Sequence, residues 1–170
     1  MTSQLEVFGP FDIPFGLVGS VKTISKAEVT AFWAKDDAEQ FKTKHGVYIF
    51  AMRAAKGFTP WYVGRAGTGF VKEIFTSDKV LKYREVFDRG TKGSPVMFFV
   101  TKGGSRNKVG AKIIGELEQS LIVAAGAKNS ELVNVHHNKD REWCIKGVMY
   151  SSPGKPTTTA RQFKAMMGMK

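Results

Sequence analysis

Cysteine is nearly absent from this chain of 170 residues, where Cys144 stands alone. That excludes an internal disulfide and any cysteine-rich zinc centre, and it suits a reducing compartment such as the cytoplasm. Long hydrophobic runs are missing too. No uninterrupted apolar stretch approaches the ~18 residues of a membrane-crossing helix. The opening residues MTSQLEVFGPFDIPFG lack the basic start and apolar run of an export signal. The expectation is a cytoplasmic protein with no membrane partner. Acidic residues are outnumbered, 15 Asp and Glu against 26 Lys and Arg, for a formal charge of +11. A field of that sign concentrates polyanions, which makes nucleic acid the first partner to consider. Repeats and low-complexity tracts are also lacking. The basic residues are interleaved with aromatics, as on a folded basic surface and unlike a disordered tail.

What is present is enough for one core. A hydrophobic content of 42% and an aromatic content of 12% can fill a single domain of this length. Ser25-Lys26-Ala27-Glu28 has the spacing of a capping box, with Val29, Phe32 and Trp33 at helical intervals behind it, and predicts a helix over 25–34. Gly46 to Met52 and Trp61 to Gly64 are β-branched and aromatic runs separated by turn residues, and together they predict a hairpin. Phe70 to Phe87 mixes three- and four-residue spacings around Ser77-Asp78, giving two short helices or one bent helix. Val96 to Val100 is a continuous apolar run, suited to a strand buried on both faces. Val109 to Gly126 is the clearest helix, with a glycine at its stop. Beyond it, Glu131 to Val135 is expected to be a short strand or extended segment that returns Asn134 to the core. A strand over Trp143 to Tyr150 and a helix over Thr158 to Met167 complete the pattern. The organisation expected is a core over 46–135, an extension over 1–45 packed on it, and a C-terminal strand and helix over 136–170, all in one domain.

One charged residue on the long helix demands an explanation. Projected at about 100° per residue, Glu118 falls on the arc of Ile114, Leu117, Leu121, Ile122 and Ala125. A carboxylate there is costly unless it is ion-paired, hydrogen-bonded or coordinating a metal. Tyr48 follows Gly46-Val47, and Tyr62 precedes Val63-Gly64, on strands expected to be neighbours. Either tyrosine alone is unremarkable in a strand. His136 and His137 are adjacent, and on a strand adjacent side chains point to opposite faces, so they are poorly placed to share an ion. The loop Gly103-Gly104-Ser105-Arg106-Asn107-Lys108 lacks the spacing of a phosphate-binding P-loop. A basic loop touching a nucleic-acid backbone and a plain surface loop are both open readings of it.

Taken in order, Gly46-Val47-Tyr48, Tyr62-Val63-Gly64, the helical string Leu117-Glu118-Gln119-Ser120-Leu121-Ile122 and the segment Leu132-Val133-Asn134 resemble the GIY-YIG nuclease family. The resemblance runs from about Gly46 to Val135. It implies an α+β fold in which a small three-stranded sheet is flanked by helices. It also implies a metal-dependent endonuclease hydrolysing phosphodiester bonds in DNA. By the same resemblance Glu118 would hold Mg²⁺ or Mn²⁺, an oxygen-preferring cation. Tyr48 would orient or deprotonate the attacking water beside Tyr62, and Asn134 would complete the set. A phenol titrates near pH 10, so a cation such as the metal, Lys72 or Arg65 would have to lower it. The family's phosphate-contacting arginine corresponds by offset to Lys72 and by local sequence to Arg84, and both stand as candidates. Arg65, Arg106 and Lys108 are the candidate substrate contacts. Double-strand cleavage by so small a chain would call for a homodimer. The competing reading is a nucleic-acid-binding module of the same fold that cuts weakly or not at all. A nuclease toxin delivered to another cell is a third, without an export signal to support it.

Overall fold

The computed structural model describes residues 4–55, 57–104, 108–134 and 155–168. The chain forms two compact units, Met1–Asn138 and Lys139–Lys170. In the second, Thr158–Met166 is a helix whose N-cap, Thr157, accepts from the Ala160 amide. The expected strand over Trp143 to Tyr150, together with Arg106, His136 and His137, lies outside the described residues.

The first unit corrects the expected three-stranded sheet. Its main sheet has four antiparallel strands, β1 (Glu6–Asp12), β4 (Gly46–Ala54), β5 (Gly57–Ala66) and β6 (Ser94–Thr101), in the order β1-β6-β4-β5. A separate two-stranded sheet joins β2 (Gly16–Val18) to β3 (Val21–Thr23). The extra strand β1 was illegible because Gly9-Pro10 interrupts it and only Phe11 within it is buried. It pairs along β6 across an irregularity between Phe8 and Phe11. An edge strand tolerates proline, since one side of it needs no donor. The β4–β5 hairpin also runs further than expected, pairing Ala54 with Gly57. The turn residues read around Pro60 are therefore strand. Their register shifts between Phe50 and Ala51, so Trp61 is the extra residue of a bulge on the second edge.

The capping box forms as expected. Ser25 donates its amide to Glu28, Ala27 donates to the Ser25 hydroxyl, and α1 spans Lys26–Trp33. A single turn, α2 (Asp36–Glu39), follows it. The segment after β5 divides into α3 (Phe70–Glu73) and α4 (Ser77–Asp88), with Thr76 at the cap and its hydroxyl on Asp78 at 2.6 Å. The long helix α5 spans Ala111–Lys128. It passes through Gly126 and stops where Asn129 donates its side-chain amide to the Pro60 carbonyl, so a tertiary anchor, and not the glycine, ends it.

Alternation along β4 and β5 sorts side chains to the two faces of the sheet. One face carries Tyr48, Phe50, Tyr62, Met97 and Phe99 into an aromatic core with Phe32, Trp33, Phe70 and Tyr83. Phe99 is its hub, 4.3 Å from Phe70 and 5.2 Å from Phe11 between ring centroids. The other face carries Val47 and Val63 against Ile114, Ile122 and Ala125 of α5. Among the described residues, no helix is long and apolar enough to cross a membrane.

Candidate active site

The two motif glycines admit close neighbours. A Cβ on Gly46 would strike the Val100 carbonyl, and one on Gly64 would lie 2.5 Å from the Tyr48 phenol carbon and oxygen. Tyr48 is paired in register with Gly64, so its ring crosses β5 in the space the missing side chain leaves. Tyr62, two residue pairs along and so on the same face, packs beside it with ring centroids 6.1 Å apart. Tyr48 and Tyr62 are therefore brought together as expected, and Gly64 is the reason they fit.

Tyr48 is wholly buried, and its hydroxyl has no hydrogen-bond partner among the described residues. Burial, with the phenols of Tyr83 and Tyr62 beside it, pushes its pKa far above the ordinary phenol value. Tyr62 is buried in the same core but not completely covered, at 7% exposed. Burial raises its pKa too, but the Lys79 ammonium opposes that, while the Glu118 carboxylate reinforces it. The Lys79 ammonium of α4 lies against the Tyr62 ring, and the Glu118 charge on α5 acts on the phenol in the opposite sense.

Glu118 is mostly screened, its side chain 14% exposed, with the Arg65 Nε at 3.7 Å. Arg65 itself is 64% exposed, and a Cβ on Gly115 would lie 3.9 Å from its Nη1. Among the described residues there is no cluster of three His, Cys, Asp or Glu. Glu118 offers a single carboxylate, already paired with Arg65, so a hard divalent cation held there would have to draw most of its ligands from water and phosphate oxygens. The pair with Arg65 can open, since the arginine is solvent-screened and the contact is longer than a hydrogen bond.

Asn134 bonds the backbone of β5 through both polar atoms of its side chain. Its Oδ1 accepts from the Val63 amide at 2.9 Å and its Nδ2 donates to the Val63 carbonyl at 2.6 Å. With the Val133 amide on the Trp61 carbonyl at 2.9 Å and Asn129 on Pro60, residues 129–134 cover the outer edge of β5. Arg89 adds to this anchor, donating to the Glu131 carbonyl and lying over the Trp61 ring. Asn134 therefore fixes the strand that carries Tyr62 and Gly64.

The remaining candidates are scattered. Lys72 on α3, Arg84 on α4 and Lys108 are all exposed. The cations against Tyr62 are instead Lys79 and Lys82, with Nζ 5.8 and 5.7 Å from its ring centroid. Neither was picked out from the sequence, nor was Tyr83, which is fully buried and donates its hydroxyl to the Ile74 carbonyl at 2.7 Å. A signal for Lys79 existed. Projected at about 100° per residue, it shares the arc of Tyr83, Val86 and Phe87, just as Glu118 shares the apolar arc of α5.

Comparison of the chain with family models, with curated proteins and with solved structures gives no match. The functional reading therefore rests on the geometry and on the motif resemblance.

Proposed function

We propose that this chain is a metal-dependent endonuclease that hydrolyses phosphodiester bonds in DNA, of the kind its resemblance to the GIY-YIG nucleases implies. The observation that carries the reading is the interlock at Gly64, which seats the Tyr48 and Tyr62 phenols together beside the ammonium groups of Lys79 and Lys82. Two phenols, a screened carboxylate and lysines on a chain of formal charge +11 suit a polyanionic substrate and a proton transfer beside it. When bound at Glu118, Mg²⁺ or Mn²⁺ supplies positive charge to offset the charge developing on the phosphate and the leaving oxygen. Tyr62, not completely covered, is the phenol placed to hold a water by hydrogen bonding. Tyr48 packs behind it and orients it. Arg65, exposed next to Glu118, and the basic loop with Arg106 and Lys108 are proposed to touch the backbone. The single cysteine suits the cytoplasm, and cutting both strands would call for a homodimer.

A second reading, a nucleic-acid-binding module that cuts poorly, is favoured by the sealed Tyr48 hydroxyl. Supercoiled plasmid with Mg²⁺ or Mn²⁺ separates the two. The parent protein is expected to nick it, while Glu118→Ala and Tyr62→Phe bind DNA in a salt-sensitive way but do not cut. Nicking by Glu118→Ala at the parental rate would overturn the site. A parent that binds but is inert with both metals would establish the binding module.

A further inference from the structure

We propose that Lys79 and Lys82, side by side on the face of α4 that covers Tyr62, form the clamp that grips a backbone phosphate of the bound nucleic acid. The proposal builds on the nuclease reading and assigns its phosphate contact to residues other than Lys72 and Arg84. Positions three apart on a helix are neighbours on its surface. Both ammonium groups here lie against one ring, at 5.8 and 5.7 Å from the Tyr62 centroid. They do not drift there on free stems. Tyr83, next to Lys82 and one turn beyond Lys79, is buried in the aromatic core and tied to the Ile74 carbonyl, which sets the rotation of α4. Arg84 is turned about 100° away from Tyr83 on that helix and is exposed, and Lys72 ends up exposed on a separate short helix.

The charge balance at the pair asks for an anion. Lys79 is half-buried and holds Asp78 at 2.6 Å, but that carboxylate is 63% exposed. A solvent-screened partner of this kind is worth little and gives way to a phosphate. Among the described residues no carboxylate lies within ion-pair distance of Lys82. The groups facing the pair are the phenol of Tyr62, with Tyr48 and Tyr83 behind it, and Asp78, while Glu118 acts on Tyr62 from the far layer. Two point charges bracketing one ring would stand in for the bidentate fork of an arginine. They would hold the diester against the phenol.

Binding of a labelled DNA duplex, followed by fluorescence anisotropy without divalent metal across a series of salt concentrations, tests the clamp apart from cutting. Substituting methionine keeps the apolar stem over Tyr62 and removes only the charge. Lys79→Met with Lys82→Met is expected to weaken binding about tenfold or more near 0.1 M salt. It should also flatten the plot of log affinity against log salt by about one unit per lysine. Lys82→Arg should restore the slope. Lys112→Met, which removes an exposed charge paired with Glu116 on α5, should change it less than either single clamp variant. Parental affinity and slope in the double variant would overturn the clamp, as would a larger loss from Lys72→Met or Arg84→Met. Should the methionine pair unfold, the glutamine pair at the same two positions carries the same readings. A parent that binds through these lysines yet cuts with neither metal supports the clamp while overturning the enzyme. Duplex RNA run in parallel shows whether the grip extends to any phosphodiester.

Discussion

The two faces of the main sheet are built on different principles, and the candidate site lies where both act on one side chain. Under α5 the packing is aliphatic, with Val47, Val63, Ile114 and Ile122 in one cluster. Such a face depends on volume and tolerates exchange of similar side chains. Under α1, α3 and α4 it is aromatic, with Phe50 stacked on Tyr83 at 4.2 Å and Trp33 parallel to Phe99. That face places three phenols in or beside the core, with polar atoms that restrict how each ring can turn. The aliphatic layer contributes one carboxylate, Glu118, and the aromatic layer contributes the phenols and lysines. The comparison teaches that, Glu118 apart, apolar packing and chemistry fall on different faces here. The α5 side holds the sheet together, and the α4 side sets what Tyr62 can do.

Truncation on the aliphatic face should break that separation if it is wrong. Ile122, 1% exposed, loses a fully packed side chain in Ile122→Ala. We expect a cost of about 2–5 kcal/mol in urea unfolding, with cutting per folded molecule close to parental. A collapse of activity well below the unfolding transition would show that α5 positions the site as well as supporting it. Gly64→Ala is the matching change on the other face and should cost less stability, about 1–3 kcal/mol of overpacking. It should nevertheless abolish nicking, because the new methyl group displaces the Tyr48 ring against Tyr62. Parental nicking by this variant would remove the interlock from the argument for function.

The smallest effect sharpens the aromatic side. Asp78 is held down to about 2 from an ordinary 3.8, first by Lys79 and then by the Thr76 hydroxyl. A carboxylate depressed in the folded state stabilises at pH values above its unfolded pKa, and that stability fades as pH falls from about 4 towards 2. Since Asp78 is largely exposed, the contribution is a fraction of a kcal/mol. Thermal unfolding followed between pH 5 and 2 should therefore drop slightly less for Asp78→Asn than for the parent. An identical pH dependence would mean that the Lys79–Asp78 pair exerts no hold on α4.

Several elements of this arrangement are legible in the residues, and the reasons are local. The capping box at Ser25, the buried run of β6 and the amphipathic α5 each follow from contacts within a few positions along the chain. Glu118 stands out for the same reason, since helical periodicity alone reveals a charge on an apolar arc. Strand β1 is not legible, because its partner β6 lies some ninety positions away and Gly9-Pro10 hides the alternation. Asn134 looks like a catalytic residue in the sequence, yet its amide serves the edge of β5. Only the fold shows which strand edge lies open to it.

The residues by themselves determined the character of the molecule: one cysteine, an excess of positive charge, a pair of glycine-flanked tyrosines and a misplaced glutamate. These are properties of composition and short-range spacing, where steric and solvation rules act without reference to the rest of the chain. The tertiary structure decided which of the many lysines matter and how the two phenols differ. Rotation of α4 about its buried Tyr83 brings Lys79 and Lys82 to Tyr62 and leaves Arg84 outside. Packing covers Tyr48 completely and leaves a small part of Tyr62 uncovered. Charge placement and burial depend on which distant segments pack together, and that is settled only when the core closes.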